Sequence, residues 1–162
     1  MACANNHAVL ASNISAVLNV AIRHSPCLVY NPDVRVQVNT SIYRYPDVAV
    51  SCDLAAGEEH SIHHPVVLIE VLSETTEEID RNDKLAEYRA LPSVQDYVLV
   101  NYGARLAEQY HRAGAFWTFR TYGPGETIVL DTVSVVLAVD DIYAKVRLPG
   151  EATNPVVSPA DS

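Results

Sequence analysis

The sequence predicts a single α/β domain: a mixed central sheet flanked by helices, with a C-terminal antiparallel meander. Three observations predict it. An amphipathic helical repeat opens the chain. Two runs, Val66–Leu72 and Asp96–Asn101, are apolar on both alternating faces and so read as central strands covered on both sides. Four short segments between Leu106 and Leu137 are divided by turn residues, the pattern of an antiparallel meander. The 162 residues suit one domain, drawn over 1–148 with a Pro-containing flexible tail over 149–162.

The elements follow in order. From His7 to Arg23, Val9, Leu10, Ile14, Val17, Leu18, Ala21 and Ile22 recur every three or four residues with no Gly or Pro, which predicts a helix. Val34, Val36 and Val38 alternate with Arg35 and Gln37 as a strand with one wet face. Asn39–Ser41 reads as a turn, and Asp47–Cys52 as the hairpin partner. Residues 53–65 are polar and contain Gly57, so they form a loop. After Val66–Leu72, Thr75 and Glu78 fit a capping box that opens a helix running through about Ala90 and stopping before Pro92. Strand Asp96–Asn101 is followed by Leu106–His111, Phe116–Thr121, Thr127–Leu130 and Val133–Leu137, separated by Gly114, Gly123-Pro124-Gly125 and Asp131-Thr132.

Composition excludes several classes. With 20 acidic against 11 basic residues the formal charge is −9, which disfavours non-specific adhesion to nucleic acid or anionic lipid. No apolar stretch reaches membrane-span length, and residues 1–11 lack a basic segment leading into an apolar one, so a cytoplasmic protein is expected. Cys3, Cys27 and Cys52 are odd in number and widely spaced, and they read as buried or incidental thiols. Ten of the acids lie between Asp47 and Asp83, against Arg81 alone; residues 1–46 carry Arg23, Arg35 and Arg44 against Asp33.

Within that acidic stretch, Glu70 is the most informative residue. An ionised carboxylate costs several kcal/mol to bury among Val, Leu and Ile, so it requires a cation, a strong donor or a raised pKa. The bland alternative is a strand-end glutamate satisfied by an amide or an arginine. Asp47 follows Tyr45-Pro46 at the start of the preceding strand, where a turn-capping role is the alternative. Two carboxylates at neighbouring strand ends are the hard oxygen donors that hold Mg²⁺ together with several waters. Asp80, Lys84 and Tyr88 fall at i, i+4 and i+8 on one helix face. Lys84 is then either a surface partner of Asp80 or an ammonium aimed at the carboxylates, able to assist a water or balance charge on a phosphate.

The series Tyr45-Pro46-Asp47, Ile69-Glu70-Val71-Leu72-Ser73, Thr76, Asp80-Arg81, Lys84-Leu85, Tyr88 and Asp96-Tyr97-Val98-Leu99-Val100 resembles the Uma-two family of restriction-endonuclease-like proteins, in the PD-(D/E)xK nuclease superfamily. The similarity spans about His7 to Val146. It implies a restriction-endonuclease-like core and Mg²⁺-dependent hydrolysis of phosphodiester bonds in nucleic acid, DNA being the expected substrate, with Mn²⁺ as a substitute ion. By that resemblance Asp47 and Glu70 are catalytic metal ligands, the Val71 carbonyl is a further ligand, and Lys84 is the catalytic lysine. Asp80, Tyr88 and His7 are supporting candidates. Leu72 occupies the position where the plain superfamily motif carries its lysine, and Lys84 matches an alternative placement on the next helix. Family members usually carry an acidic residue before the first helix, whereas residues 1–32 here contain none.

The rival reading is a non-catalytic nuclease-fold module for binding or assembly. Lesser candidates are a transition-metal site at His60, His63 and His64, a site-facing Asn13, a Ser73 nucleophile without its G-x-S-x-G context, and base stacking by Phe116, Trp117, Phe119 and Tyr122, for which core or dimer packing is the favoured alternative. The meander aromatics predict a homodimer. The Arg-bearing N-terminal region is the expected phosphate-facing side.

Overall fold

A computed structural model describes residues 5–53 and 61–151. In chain order the elements are α1 (Asn6–Ile22), β1 (Leu28–Tyr30), β2 (Arg35–Gln37), β3 (Tyr43–Arg44), β4 (Val48–Ser51), β5 (Ser61–Ile62), β6 (Pro65–Val71), α2 (Glu77–Arg81), α3 (Asp83–Ala90), β7 (Asp96–Val100), β8 (Ala107–Ala113), β9 (Phe116–Tyr122), β10 (Thr127–Leu130), β11 (Val135–Ala138) and α4 (Val139–Ile142). His60, Gly57 and residues 152–162 of the expected tail lie outside the described residues.

The central sheet is mixed, in the order β1-β4-β6-β7-β8-β9. β6 and β7 are parallel and joined through α2 and α3, and the remaining pairs in this sheet are antiparallel. Both faces of β6 and β7 are covered, which is why these strands carry almost no polar residue. On one face α1 buries Leu10, Ile14, Leu18 and Ile22, four residues apart, against Val48, Val50, Val67, Ile69, Val71, Val98 and Val100. The β10–β11 hairpin and α4 close this face. Asn6 donates to the Arg147 carbonyl at 2.7 Å, and Asn13 to the Ile142 and Ala144 carbonyls at 2.9 and 2.8 Å, tying α1 to the chain around α4. On the other face Leu68, Leu72, Tyr97 and Leu99 pack with Tyr88 and Leu91.

Five sequence expectations are corrected. β4 is not the hairpin partner of β2; β2 pairs with β3 and β5 in a separate three-stranded sheet, while β4 enters the main sheet between β1 and β6. All four β4 residues are buried, and a two-stranded ribbon could not cover both their faces. The expected single helix breaks at Asn82, which ends α2 and begins α3. Asn sits poorly in helix interiors because its side chain competes for backbone groups. No side chain caps α2. The Ser73 hydroxyl instead bonds those of Thr76 and Thr75, at 2.8 and 3.2 Å. The expected meander is divided: β8 and β9 extend the main sheet, and β10–β11 folds back as its own hairpin. Finally, Cys27 and Cys52 form a disulfide. Leu28 pairs with Ser51 across β1 and β4, so the adjoining cysteines meet although 25 residues separate them in sequence. Among the described residues no helix is long and apolar enough to cross a membrane.

Candidate active site

Asp47 lies at the entry to β4 and Glu70 near the end of β6, and the antiparallel pairing of these strands brings them together. Val48 is in register with Ile69, so Asp47 falls beside Glu70 and Val71. Its Oδ2 accepts the Val71 amide at 2.7 Å, and its own amide makes a long contact of 3.4 Å to Glu70 Oε2. Pro46 precedes it, fixing the backbone at the strand entrance.

Glu70 is 2% exposed and points toward the α2–α3 side, between Leu68 and Leu72. Its Oε1 accepts from Lys84 Nζ at 3.0 Å and from the Tyr88 hydroxyl at 3.1 Å. Burial, reinforced by Asp47 and Asp80 and opposed by Lys84, raises its pKa to about 7. The neutral and ionised forms are therefore closely balanced at physiological pH in the metal-free protein.

Lys84 is 14% exposed and also reaches Asp80 Oδ1 at 2.6 Å. The surface reading of Lys84 is corrected: it pairs with Asp80, but that pair is buried against Glu70 instead of lying on the surface. Burial pulls the Lys84 pKa down, but attraction to Glu70 and Asp80 outweighs it and leaves the pKa above the ordinary lysine value. Lys84 is thus a charged donor. Burial pushes the Tyr88 hydroxyl far up, so it too keeps its proton and donates. The i, i+4, i+8 face survives the helix break, because the break at Asn82 preserves the contact between Asp80 and Lys84.

His7, on the first turn of α1, places Nε2 at 3.2 Å from Asp47 Oδ2. Interaction with Asp47 raises its pKa, against partial desolvation, and the Val71 backbone and Glu70 add to the rise. Asn13 does not face this site; its amide is spent on the Ile142 and Ala144 carbonyls. Sequence reasoning missed Tyr97, whose hydroxyl donates to the Asp80 carbonyl at 2.9 Å and whose ring meets Tyr88 edge-on at 5.1 Å. Its apolar strand context carried no signal of that role. The expected phosphate-facing arginines are differently engaged. Arg44 forms a two-pronged ion pair with Glu87, and Arg35 bonds Ser61 and lies over the Tyr43 ring.

These donors suit a divalent cation. The bonds that orient the carboxylates fall on Asp47 Oδ2 and Glu70 Oε1; among the described residues Asp47 Oδ1 has no donor and Glu70 Oε2 only the long amide contact. Among the described residues no three His, Cys, Asp or Glu side chains group as a ready-made metal cage. Two carboxylates completed by water are the arrangement that Mg²⁺ accepts. His63 and His64 join no such group among the described residues, and His60 lies outside them. Trp117 is flanked by the Arg112 and Arg89 guanidiniums, at 4.5 and 5.7 Å from its ring centre, and Tyr122 is buried, so both belong to packing.

A mixed sheet with carboxylates converging at the end of a parallel strand, backed by a helix-borne lysine, defines the class as a nuclease-type α/β fold. The chain belongs to the Uma2 family, described as "Putative restriction endonuclease", whose model matches residues 1–140. It is 33% identical over 141 residues to the uncharacterized protein slr1290 of Synechocystis sp. (strain ATCC 27184 / PCC 6803 / Kazusa), covering 85% of this chain and 74% of that protein. A second protein of the same organism, sll1609, is 29% identical over 113 residues; the match covers 67% of this chain and 64% of that one. In fold, the chain is similar to a crystal structure from Anabaena variabilis ATCC 29413 titled a "putative nuclease belonging to DUF820". That match has a TM-score of 0.70 and 15% identity, and it covers 85% of this chain and 80% of the other.

Proposed function

We propose that the protein is a Mg²⁺-dependent endonuclease that hydrolyses phosphodiester bonds in DNA, with Mn²⁺ able to replace Mg²⁺. The observation that carries this reading is the meeting of Asp47 and Glu70 at adjoining strand ends, with the Lys84 ammonium against Glu70. Asp47 and Glu70 would hold the ion, with the Val71 carbonyl as a further ligand. The ion, when bound, polarises the phosphoryl oxygen and eases deprotonation of the attacking water.

The chain's own residues do the rest. The Val71 amide and His7 hold Oδ2 of Asp47, and Lys84 with Tyr88 holds Oε1 of Glu70, so each carboxylate is oriented before any ligand arrives. Because Lys84 keeps its proton, it serves as a fixed positive charge beside the developing phosphorane charge, not as the base. Asp80 and Tyr97 are positioning residues: Asp80 holds Lys84, and the Tyr97 hydroxyl holds the Asp80 carbonyl.

The test is incubation of the protein with plasmid DNA, single-stranded DNA and RNA in Mg²⁺ and in Mn²⁺, alongside Asp47→Ala and Glu70→Ala variants. Cleavage of DNA by the wild type, lost by on the order of 10²-fold or more in both variants, is expected. A wild-type protein that cleaves none of these in either metal would refute the reading and favour the non-catalytic binding module.

A further inference from the structure

Resting on that nuclease reading, we infer that the cavity beside the site holds an unpaired nucleobase, so that the substrate is engaged as a single strand instead of a continuous duplex. The cavity, of about 340 Å³, is walled by Leu72, Tyr102 and Pro149, with Ser73 and Glu74 contributing polar groups. His7 belongs both to this wall and to the Asp47 contact. An occupant therefore lies next to a phosphate placed at the carboxylates. Leu72 and Ser73 directly follow Val71, so the same strand end builds both halves of the site.

The chemistry of the walls fits a base. An aromatic ring and apolar side chains offer a stacking surface, and a few hydroxyl and carboxylate oxygens lie within reach of a base's edge. A paired and stacked base of intact duplex cannot enter such a cavity without first leaving the helix.

The charge pattern argues the same way. Duplex binding draws most of its affinity from Lys and Arg set against many phosphates. Here Arg44 is paired with Glu87, Arg81 with Glu77 and Glu108, Arg105 with Glu151, and Lys84 with Glu70 and Asp80. These four are spent in ion pairs, and the formal charge of −9 over the chain opposes the approach of a long polyanion. A contact that does not depend on charge adds affinity against that repulsion, and base stacking is such a contact.

Fluorescence anisotropy with a fluorescein-labelled DNA single strand, its duplex, and the same strand built of abasic nucleotides tests this. Ca²⁺ replaces Mg²⁺ so that binding is read without cleavage. The single strand should bind more tightly than the duplex. Removal of the bases, or Tyr102→Ala, should each weaken it by roughly 5- to 150-fold, the stacking contribution of one base, while Tyr102→Phe binds as the wild type. The abasic strand reads the effect on unaltered protein, should Tyr102→Ala fail to fold. Equal or tighter duplex binding, single-strand binding indifferent to base removal, or no single-strand binding at all would overturn the inference. Cleavage of the same strands in Mg²⁺ separates the two readings. A protein that cuts duplex without these base effects retains its nuclease function and loses this inference; one that binds the bases and cuts nothing does the reverse.

Discussion

Glu70→Gln should make the metal-free protein more stable, by an amount set by pH. The neutral amide keeps the shape of the protonated acid while removing a charge that the fold disfavours. Glu70's folded pKa of about 7 stands above its ordinary 4.5. Stability linked to the neutral acid is therefore fully present below about pH 4.5 and lost as pH rises through 7. The shift of about 2.5 units corresponds to roughly 3 kcal/mol at full ionisation. The Gln variant's advantage should accordingly be about 1 kcal/mol near pH 5 and about 3 kcal/mol near pH 8, or roughly 6–12 °C in Tm at the alkaline end. Urea unfolding in EDTA across this range measures it. A variant no more stable than wild type near pH 8, or an advantage independent of pH, would refute the claim that Glu70 is held in a disfavoured charged state. The same variant should bind Mn²⁺ far more weakly, because an amide oxygen replaces an anionic ligand.

Four further outcomes are expected. Lys84→Met leaves Glu70 and Asp80 buried without their cation, so it should cost about 3 kcal/mol or more near pH 8 and less near pH 5, where Glu70 takes up a proton, and should cut DNA cleavage by on the order of 10²-fold; a loss under ~0.5 kcal/mol at pH 8 would place the pair on the surface. Reducing the Cys27–Cys52 disulfide, or Cys27→Ser, should cost about 3 kcal/mol by releasing a loop spanning 25 residues, read from urea midpoints with and without dithiothreitol; since a reducing compartment would favour the thiol form and an oxidising one the disulfide, the cleavage assay should be run in both states. His111→Phe removes a 2.8 Å partner of the buried Asp96 and should cost about 1–3 kcal/mol while leaving cleavage unchanged, as thermal unfolding and the plasmid assay can show. The edge strand β9 exposes Phe116 (76%) and Phe119 (52%), and light scattering should show a dimer through that edge; the mass of one chain at all concentrations would remove it.

What the sequence disclosed depended on the range over which each signal acts. Glu70 was legible because a carboxylate among Val, Leu and Ile is anomalous within seven residues, and the face carrying Asp80, Lys84 and Tyr88 was legible from helical spacing alone. His7 and Asn13 could not both face one site. Six residues apart, they lie roughly 120° apart around the helix, and nothing local says which of them turns inward. The β2–β4 hairpin was misread because alternation identifies strands and is silent on partners. Three-residue β1 is too short to show alternation, and with β1 unseen the disulfide that depends on its pairing with β4 was unseen too.

Glu70 and Asp96 show why a buried acid alone does not locate a site. Each lies in an apolar strand, each is almost wholly buried, and burial raises the pKa of both. Asp96 sits at the amino end of β7, in register with His111 on β8. Its Oδ1 takes bonds from Gln109 at 2.7 Å and His111 at 2.8 Å, while Tyr122 locks the other end of Gln109. Those partners come from the strands that enclose it, so the cluster pins β7, β8 and β9 together. Glu70 sits at the opposite end of the parallel pair, where the strands stop, α2 begins two turns of chain away and Asp47 enters from β4. In open α/β sheets ligands bind beyond the carboxyl ends of the strands, where the chain parts to opposite sides and leaves room. At the amino end a buried acid is enclosed by its sheet neighbours; at the carboxyl end it is held by a lysine through one oxygen, while the other makes only a long contact of 3.4 Å to the Asp47 amide. On the proposed nuclease reading, Glu70, and not Asp96, is therefore the carboxylate available to a substrate.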